Sequence, residues 1–230
     1  MKRFWLFLIL LLCLFMPLGA HADIKLDFKG FIADEADILP KDIKNDLNMT
    51  LWDLQKKSGA DIAVVIVNSL GGRTVEDVAL DIGRTYKVGS KEKNNGIVFL
   101  TALNERKMRI ELGLGFKDKI SIPSLDNIRD YDILPYYKRD DYVNGIARGT
   151  YKLAELAAKV ENVEIKTQGI CPAKATSASP EHKEHAPWWV YILAVIMSLF
   201  TPRRRRFNYG SFGGFGGGGG FGGSGCSGSW

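Results

Sequence analysis

Between residues 23 and 170 the sequence has neither histidine nor cysteine; His21, His182, His185, Cys13, Cys171 and Cys226 all fall outside that stretch. A Ser-His-Asp triad, a Cys-His pair and a histidine-rich zinc site are thereby excluded from it. What remains for acid–base or metal chemistry is carboxylate and amide oxygen. The cluster Asp34, Glu35 and Asp37 offers it, as ligands for a hard cation or as general acid and base. The same cluster also reads as a solvated helix entry, its charges favouring the positive N-terminus that follows. Nucleotide chemistry finds no support. Gly113-x-Gly115 lacks a third glycine and follows a hairpin pattern, and no Gly-Lys-Ser/Thr loop occurs. His182-Lys183-Glu184-His185 could catch a soft metal but lies in a polar spacer.

The elements that must position these groups are legible from periodicity. Pro40 opens a helix with Ile43, Leu47, Leu51 and Leu54 at helical spacing, and Gly59 stands just past its end. Ile62 to Val67 is a continuous run without alternation, which reads as a strand buried on both faces. Thr74, with Asp77 three residues on, caps a second helix bearing Val75, Val78, Ala79 and Ile82 on one stripe. Ile97 to Leu100 and the alternating Met108 to Leu112 predict a hairpin, closed by a flexible Gly113–Phe116 turn. Helical pieces follow, the last from about Asp140 to Val160, with Gly145 and Gly149 allowing close packing. Tyr131, Tyr136, Tyr137 and Tyr142 read as core between these helices. The order predicts an α/β fold, a small three-layer αβα sandwich with a mixed sheet.

Charge and composition divide the rest of the chain. The net charge of +5 comes from the ends, since residues 23–202 hold 25 basic and 26 acidic side chains. Lys2-Arg3, the apolar run Phe4–Leu18 and Ala20-His21-Ala22 predict a signal peptide over residues 1–22. A second apolar run, Trp188–Phe200, has 13 residues between Pro187 and Pro202. As a helix it reaches roughly 20 Å against about 30 Å of hydrocarbon, which by length alone fits a buried or interfacial helix. Its tryptophans on one side and Arg203 to Arg206 on the other favour a stop-transfer helix over residues 187–202. The expected organisation is an exported domain over 23–160, a polar linker over 161–186, the transmembrane helix, and an arginine block with a disordered glycine-rich tail over 203–230. Twelve of the 25 glycines lie between Gly210 and Gly228. With the arginines in one block, the tail reads as a cytoplasmic spacer and not as an RNA binder, so no nucleic acid partner is expected.

Together these motifs resemble the TPM-domain family, exported membrane-anchored α/β domains. The resemblance is carried by Phe31-Ile-Ala-Asp-Glu-Ala36, Ile62-Ala-Val-Val-Ile-Val67, Asn94-Asn-Gly-Ile-Val-Phe-Leu100 and Arg109-Ile-Glu-Leu-Gly-Leu-Gly-Phe116, and by the ending Ser227-Gly-Ser-Trp230. It implies a repair or chaperone-like role in photosynthetic members, acid-phosphatase activity in some, and divalent-metal binding in bacterial ones. Carried over residue by residue, the family's metal site would use Asp34, Asn94, Asn95 and Glu111, with Gly96, Gly113 and Gly115 as the glycines of its motifs.

This chain departs from that pattern twice. Asn94 stands where the family usually has Asp, and Lys117 where it tends to have an acid. Affinity for Ca²⁺ or Mg²⁺ follows the number of carboxylate oxygens, so weak binding or none is expected and no catalytic residue is assigned. The resulting expectation is a single-pass protein of the bacterial inner membrane. Its exported domain would serve as a binding or accessory module in assembly or repair of a membrane complex, with the bilayer and a membrane protein as partners. A metal-dependent acid phosphatase using Asp34 and Glu111, and a scaffold acting through the cytoplasmic tail, are the competing readings.

Overall fold

The structure, a computed structural model, describes residues 25–166 and 214–230. The expected signal peptide, most of the linker, the run 187–202, the arginine block and the His182–His185 motif lie outside the described residues. In chain order the elements are β1 (Ile32–Asp34), α1 (Lys41–Ser58), β2 (Asp61–Val67), α2 (Val75–Thr85), β3 (Gly96–Ala102) and β4 (Lys107–Gly113). Then come the short α3 (Leu114–Lys117) and α4 (Ile122–Asn127), a π-helical turn (Ile128–Ile133), α5 (Leu134–Tyr137), α6 (Tyr142–Val160) and β5 (Phe221–Ser229). They form a mixed five-stranded sheet in the order β1-β2-β3-β4-β5. β1, β2 and β3 run parallel; β4 is antiparallel to β3, and β5 to β4.

Local signals explain most of this. Gly59 adopts a left-handed φ of 73°, and its N–H closes α1 on the Gln55 carbonyl. Thr74 accepts the Asp77 N–H at the head of α2, and its hydroxyl donates to the Asp77 carboxylate at 2.7 Å. All seven residues of β2 are buried because helices cover both faces of the sheet. Ala63, Val65 and Val67, with Val98 and Leu100, pack on Val75, Val78, Ala79 and Ile82 of α2. The alternate residues face α6 and the short helices. A Cβ at Gly149 would lie 3.1 Å from the Phe99 ring, and the Tyr137 hydroxyl meets Thr101 at 2.7 Å.

Three expectations are revised. Of the four tyrosines read as core, Tyr137 is fully buried but Tyr131 is 75% exposed. In β4, Arg109 and Glu111 are buried along with Met108, Ile110 and Leu112 despite their alternation. α2 and the neighbouring β5 roof the face of Arg109 and Glu111. The Gly113–Phe116 segment is no flexible turn; it enters α3, where a Cβ on Gly115 would collide with the Lys93 carbonyl oxygen. The third revision is the largest. The tail, expected as a disordered spacer, supplies the fifth strand, and Phe215–Trp230 belongs to the same compact unit as the domain.

Candidate functional site

The sequence-predicted residues fall at two ends of the sheet. Asp34 closes β1 and is spent on the chain turn that follows. Its carboxylate accepts the N–H groups of Ile38 at 3.3 Å and Leu39 at 3.0 Å and pairs with Lys44 at 2.8 Å. Asp37 also pairs with Lys44 and is held below the usual carboxylate range by it, while partial burial raises Glu35. Because β1 and β3 are parallel, Asp34 at the end of one lies far along the sheet from Asn94 and Asn95 at the start of the other.

Asn94, Asn95 and Glu111 do share one edge. Glu111 on β4 is opposite Val98, two residues into β3, and Gly113 packs so closely that a Cβ would strike the Asn94 carbonyl oxygen. Each is already engaged. Asn94 Oδ1 accepts the Gly220 N–H at 3.1 Å and Asn95 Oδ1 the Ser90 N–H at 3.1 Å. Glu111 Oε2 takes both Arg109 Nη2 at 2.6 Å and Nε at 3.0 Å, with the carboxylate wholly buried. Gly96 allows the Val88 carbonyl to approach, where a Cβ would collide.

This donor set does not fit a hard cation. Ca²⁺ wants six to eight oxygens with several carboxylates. Of Asn94, Asn95 and Glu111 only Glu111 is a carboxylate, neutralised by a guanidinium, and Lys117 stands exposed on α3. The remaining unpartnered atoms are Glu111 Oε1 and Asn95 Nδ2, and the second is a donor that cannot ligate. No group of three or more His, Cys, Asp or Glu able to hold a metal occurs among the described residues.

Burial pushes the Glu111 carboxyl above its usual range, against the pull of Arg109 and the Gly223 and Ser224 amides. The folded chain therefore binds this proton at higher pH than the unfolded chain. Its contribution to stability grows as pH falls and is lost as pH rises through the folded value. Between pH 7 and pH 5 the wild type is expected to gain stability relative to Glu111→Gln, which cannot titrate. Urea midpoints at the two pH values measure the difference, and identical pH slopes in both chains would refute the shift.

The sequence reading missed Asp61, Arg109 and the tail itself. Asp61 heads β2, fully buried, and accepts from Gly216 N–H at 2.6 Å, Gln55 Nε2 at 2.7 Å and Gly89 N–H at 2.9 Å. A lone acid leading an unbroken apolar strand was the available signal. Burial raises its carboxyl above the usual range, against the smaller pull of those three donors. From Asp61 onward the tail follows a continuous seam. Gly218 N–H donates to the Gly89 carbonyl at 2.6 Å, Leu114 N–H to that of Gly220 at 2.7 Å, and Arg84 to that of Phe221 at 2.8 Å. The ladder then runs from Gly113↔Phe221 to Lys107↔Ser229. Ser227 links three charged groups: its hydroxyl accepts from Arg109 at 3.1 Å and donates to Glu76 at 2.5 Å, while its carbonyl accepts from Arg129 at 3.1 Å.

A family model of the TPM domain matches residues 32–156, more than half of the sequence. The chain belongs to the TPM-domain family. Among solved structures, this TPM domain is similar to the N-terminal domain of a P. gingivalis protein, with a TM-score of 0.53 and 24% identity over 58% of this chain and 85% of that one. The BA42 protein of Bizionia argentinensis gives 0.48 and 20% over 55% and 86%. The N-terminal domain of a Corynebacterium glutamicum protein gives 0.44 and 16% over 72% and 95%. No curated protein matches the chain. The first of these likenesses supports the α/β fold; at these identities none speaks to function. The TPM match stops at residue 156, so β5 comes from beyond it.

Proposed function

We propose that this TPM domain works as an exported binding or accessory module at a bacterial membrane, in the assembly or repair of a membrane complex, and not as a phosphatase. One observation carries the reading. Both carboxylates that a metal-dependent phosphatase would need, Asp34 and Glu111, are tied by ion pairs and backbone bonds that hold the fold, at separate ends of the sheet. The signal-like segment 1–22 and the apolar run 188–200 support export and membrane contact. No helix among the described residues is long and apolar enough to cross a membrane.

The β4–β5 ladder sets a condition on this topology. Strands that exchange backbone hydrogen bonds lie on one side of any bilayer, so a single crossing between α6 and β5 excludes the ladder within one chain. The reading that satisfies both keeps the tail beside the exported domain, with the 13-residue run contacting the bilayer without carrying the chain across. A cytoplasmic scaffold made of the tail is then disfavoured.

The full chain is expected to hydrolyse p-nitrophenyl phosphate at the rate of a blank, with or without Ca²⁺ or Mg²⁺. Crosslinking in native membranes is expected to recover a discrete membrane protein. Metal-dependent turnover that Glu111→Gln abolishes would replace the binding reading with the enzymatic one.

A further inference from the structure

The seam around the tail is built like a ligand site whose ligand happens to belong to the chain. Its receiving side is the outer edge of β4, with α2, the Gly89–Asn94 loop and α3. Three aromatic side chains anchor the segment at spaced points. Phe215 meets Phe28 and Phe31 at ring separations of 5.0 and 6.0 Å. Phe221 is buried against Gly83, where a Cβ would come within 2.7 Å of the ring. Trp230 packs on Tyr137 at 4.5 Å and on Tyr142 at 5.8 Å, and its indole N–H reaches the Tyr142 hydroxyl at 3.3 Å.

At three positions between the anchors the groove leaves no room for a side chain. A Cβ at Gly220 would lie 2.6 Å from Asn94 Oδ1, one at Gly228 would lie 2.8 Å from Arg129 Cδ, and one at Gly225 would strike the Ile110 carbonyl oxygen. These three glycines are thus read as shape, and Ser227 is read by charge. Four of the nine residues of β5 are glycine, the residue that loses most backbone freedom on ordering, so the strand has little intrinsic tendency to stay. Docking rests on a few discrete anchors.

We propose that the β4 edge is a strand-acceptor site, and that it takes Phe215–Trp230 from a second copy of this chain as well as from its own. This rests on the reading of the domain as a binding module. Strand addition to a sheet edge supplies main-chain hydrogen bonds, while sockets for particular side chains supply selectivity. Another copy carries the three anchors and the intervening glycines in the same register. Exchanging an identical element breaks and remakes the same bonds, which makes it an inexpensive route to association.

Cys226 reports on the exchange. It is 4% exposed when β5 is docked, and burial pushes its thiol up to about 11, so it should alkylate slowly. In the wild-type full chain, alkylation at Cys226 is followed by mass spectrometry while a donor is titrated in. The donors are a synthetic peptide of residues 214–230 carrying Cys226→Ser, and the full chain carrying the same substitution. The peptide is expected to raise the Cys226 rate saturably, by about tenfold or more, as the resident strand is displaced. The donor chain offers its own vacated edge in return, which buries Cys226 again, so exchange with it is expected to appear as a mixed dimer of wild-type and donor chains in native mass spectrometry. The peptide with Phe221→Ala and Trp230→Ala is expected to leave the rate unchanged.

A rate indifferent to the peptide, or raised equally by the anchorless peptide, overturns the proposal. A rate raised by the peptide with no mixed dimer of wild-type and donor chains overturns exchange between copies. The binding-module reading fails on a different measurement, metal-dependent phosphate-ester turnover, which leaves Cys226 labelling untouched.

Discussion

Glu111→Ala is expected to cost about 3–5 kcal/mol of unfolding free energy, because it strands the Arg109 guanidinium in a buried site. Two physical terms oppose each other here. Removing Glu111 ends its own desolvation penalty, which is large enough to raise its pKa despite the guanidinium 2.6 Å away. Protonation leaves Glu111 an oxygen that still accepts from Arg109, whereas alanine leaves the guanidinium with Ser227 and the more distant Glu76 charge and empties a buried site. The double replacement Arg109→Met with Glu111→Leu is expected to recover most of the loss, since apolar pairs of similar volume commonly match buried ion pairs. Urea denaturation of the three chains measures both steps. A Glu111→Ala chain within about 0.5 kcal/mol of wild type would mean the pair is not structural, and would reopen Glu111 as a functional group.

The second large effect falls in a segment whose composition looks structureless. Phe221→Ala is expected to lower stability by about 3 kcal/mol, the cost of emptying a well-packed aromatic site. Phe221 is 4% exposed and belongs to the cluster formed by Val78, Ala79 and Ile82 of α2 with Val98 and Leu100 of β3. The loss is capped by the docking free energy of the tail, because β5 can detach while the other four strands remain paired. Hydrogen exchange separates the two routes: the β4 amides that face β5 should lose protection first, and those paired with β3 later. A freely hanging spacer would give a change within about 0.5 kcal/mol, and such a result would remove β5 from the sheet.

Much of the domain was legible because a segment's own residues encode the surface it buries. Leu47, Leu51 and Leu54 mark the inner face of α1, and the unbroken run in β2 marks a strand covered on both sides. Thr74 with Asp77, Gly59, and the β3–β4 hairpin are likewise local, each satisfied by atoms a few residues away or across one turn. The family resemblance also rests on such local strings, and the match over residues 32–156 bears it out.

Other features were decided only by the folded chain. Arg109 and Glu111 alternate as a solvated face would, and their burial depends on α2 and β5, which are remote in sequence. Asp34 and Glu111 look alike as candidate ligands, but parallel pairing of β1, β2 and β3 carries them to different ends of the sheet. The tail is the extreme case. A strand specified mainly by missing side chains has no hydrophobic period to read, and its glycines acquire meaning only where the surfaces of β4, Asn94 and Arg129 leave no room for a Cβ. By itself the sequence determined where chain segments hide their apolar atoms; the tertiary structure decided which backbone edge would accept the one segment that has almost none to hide.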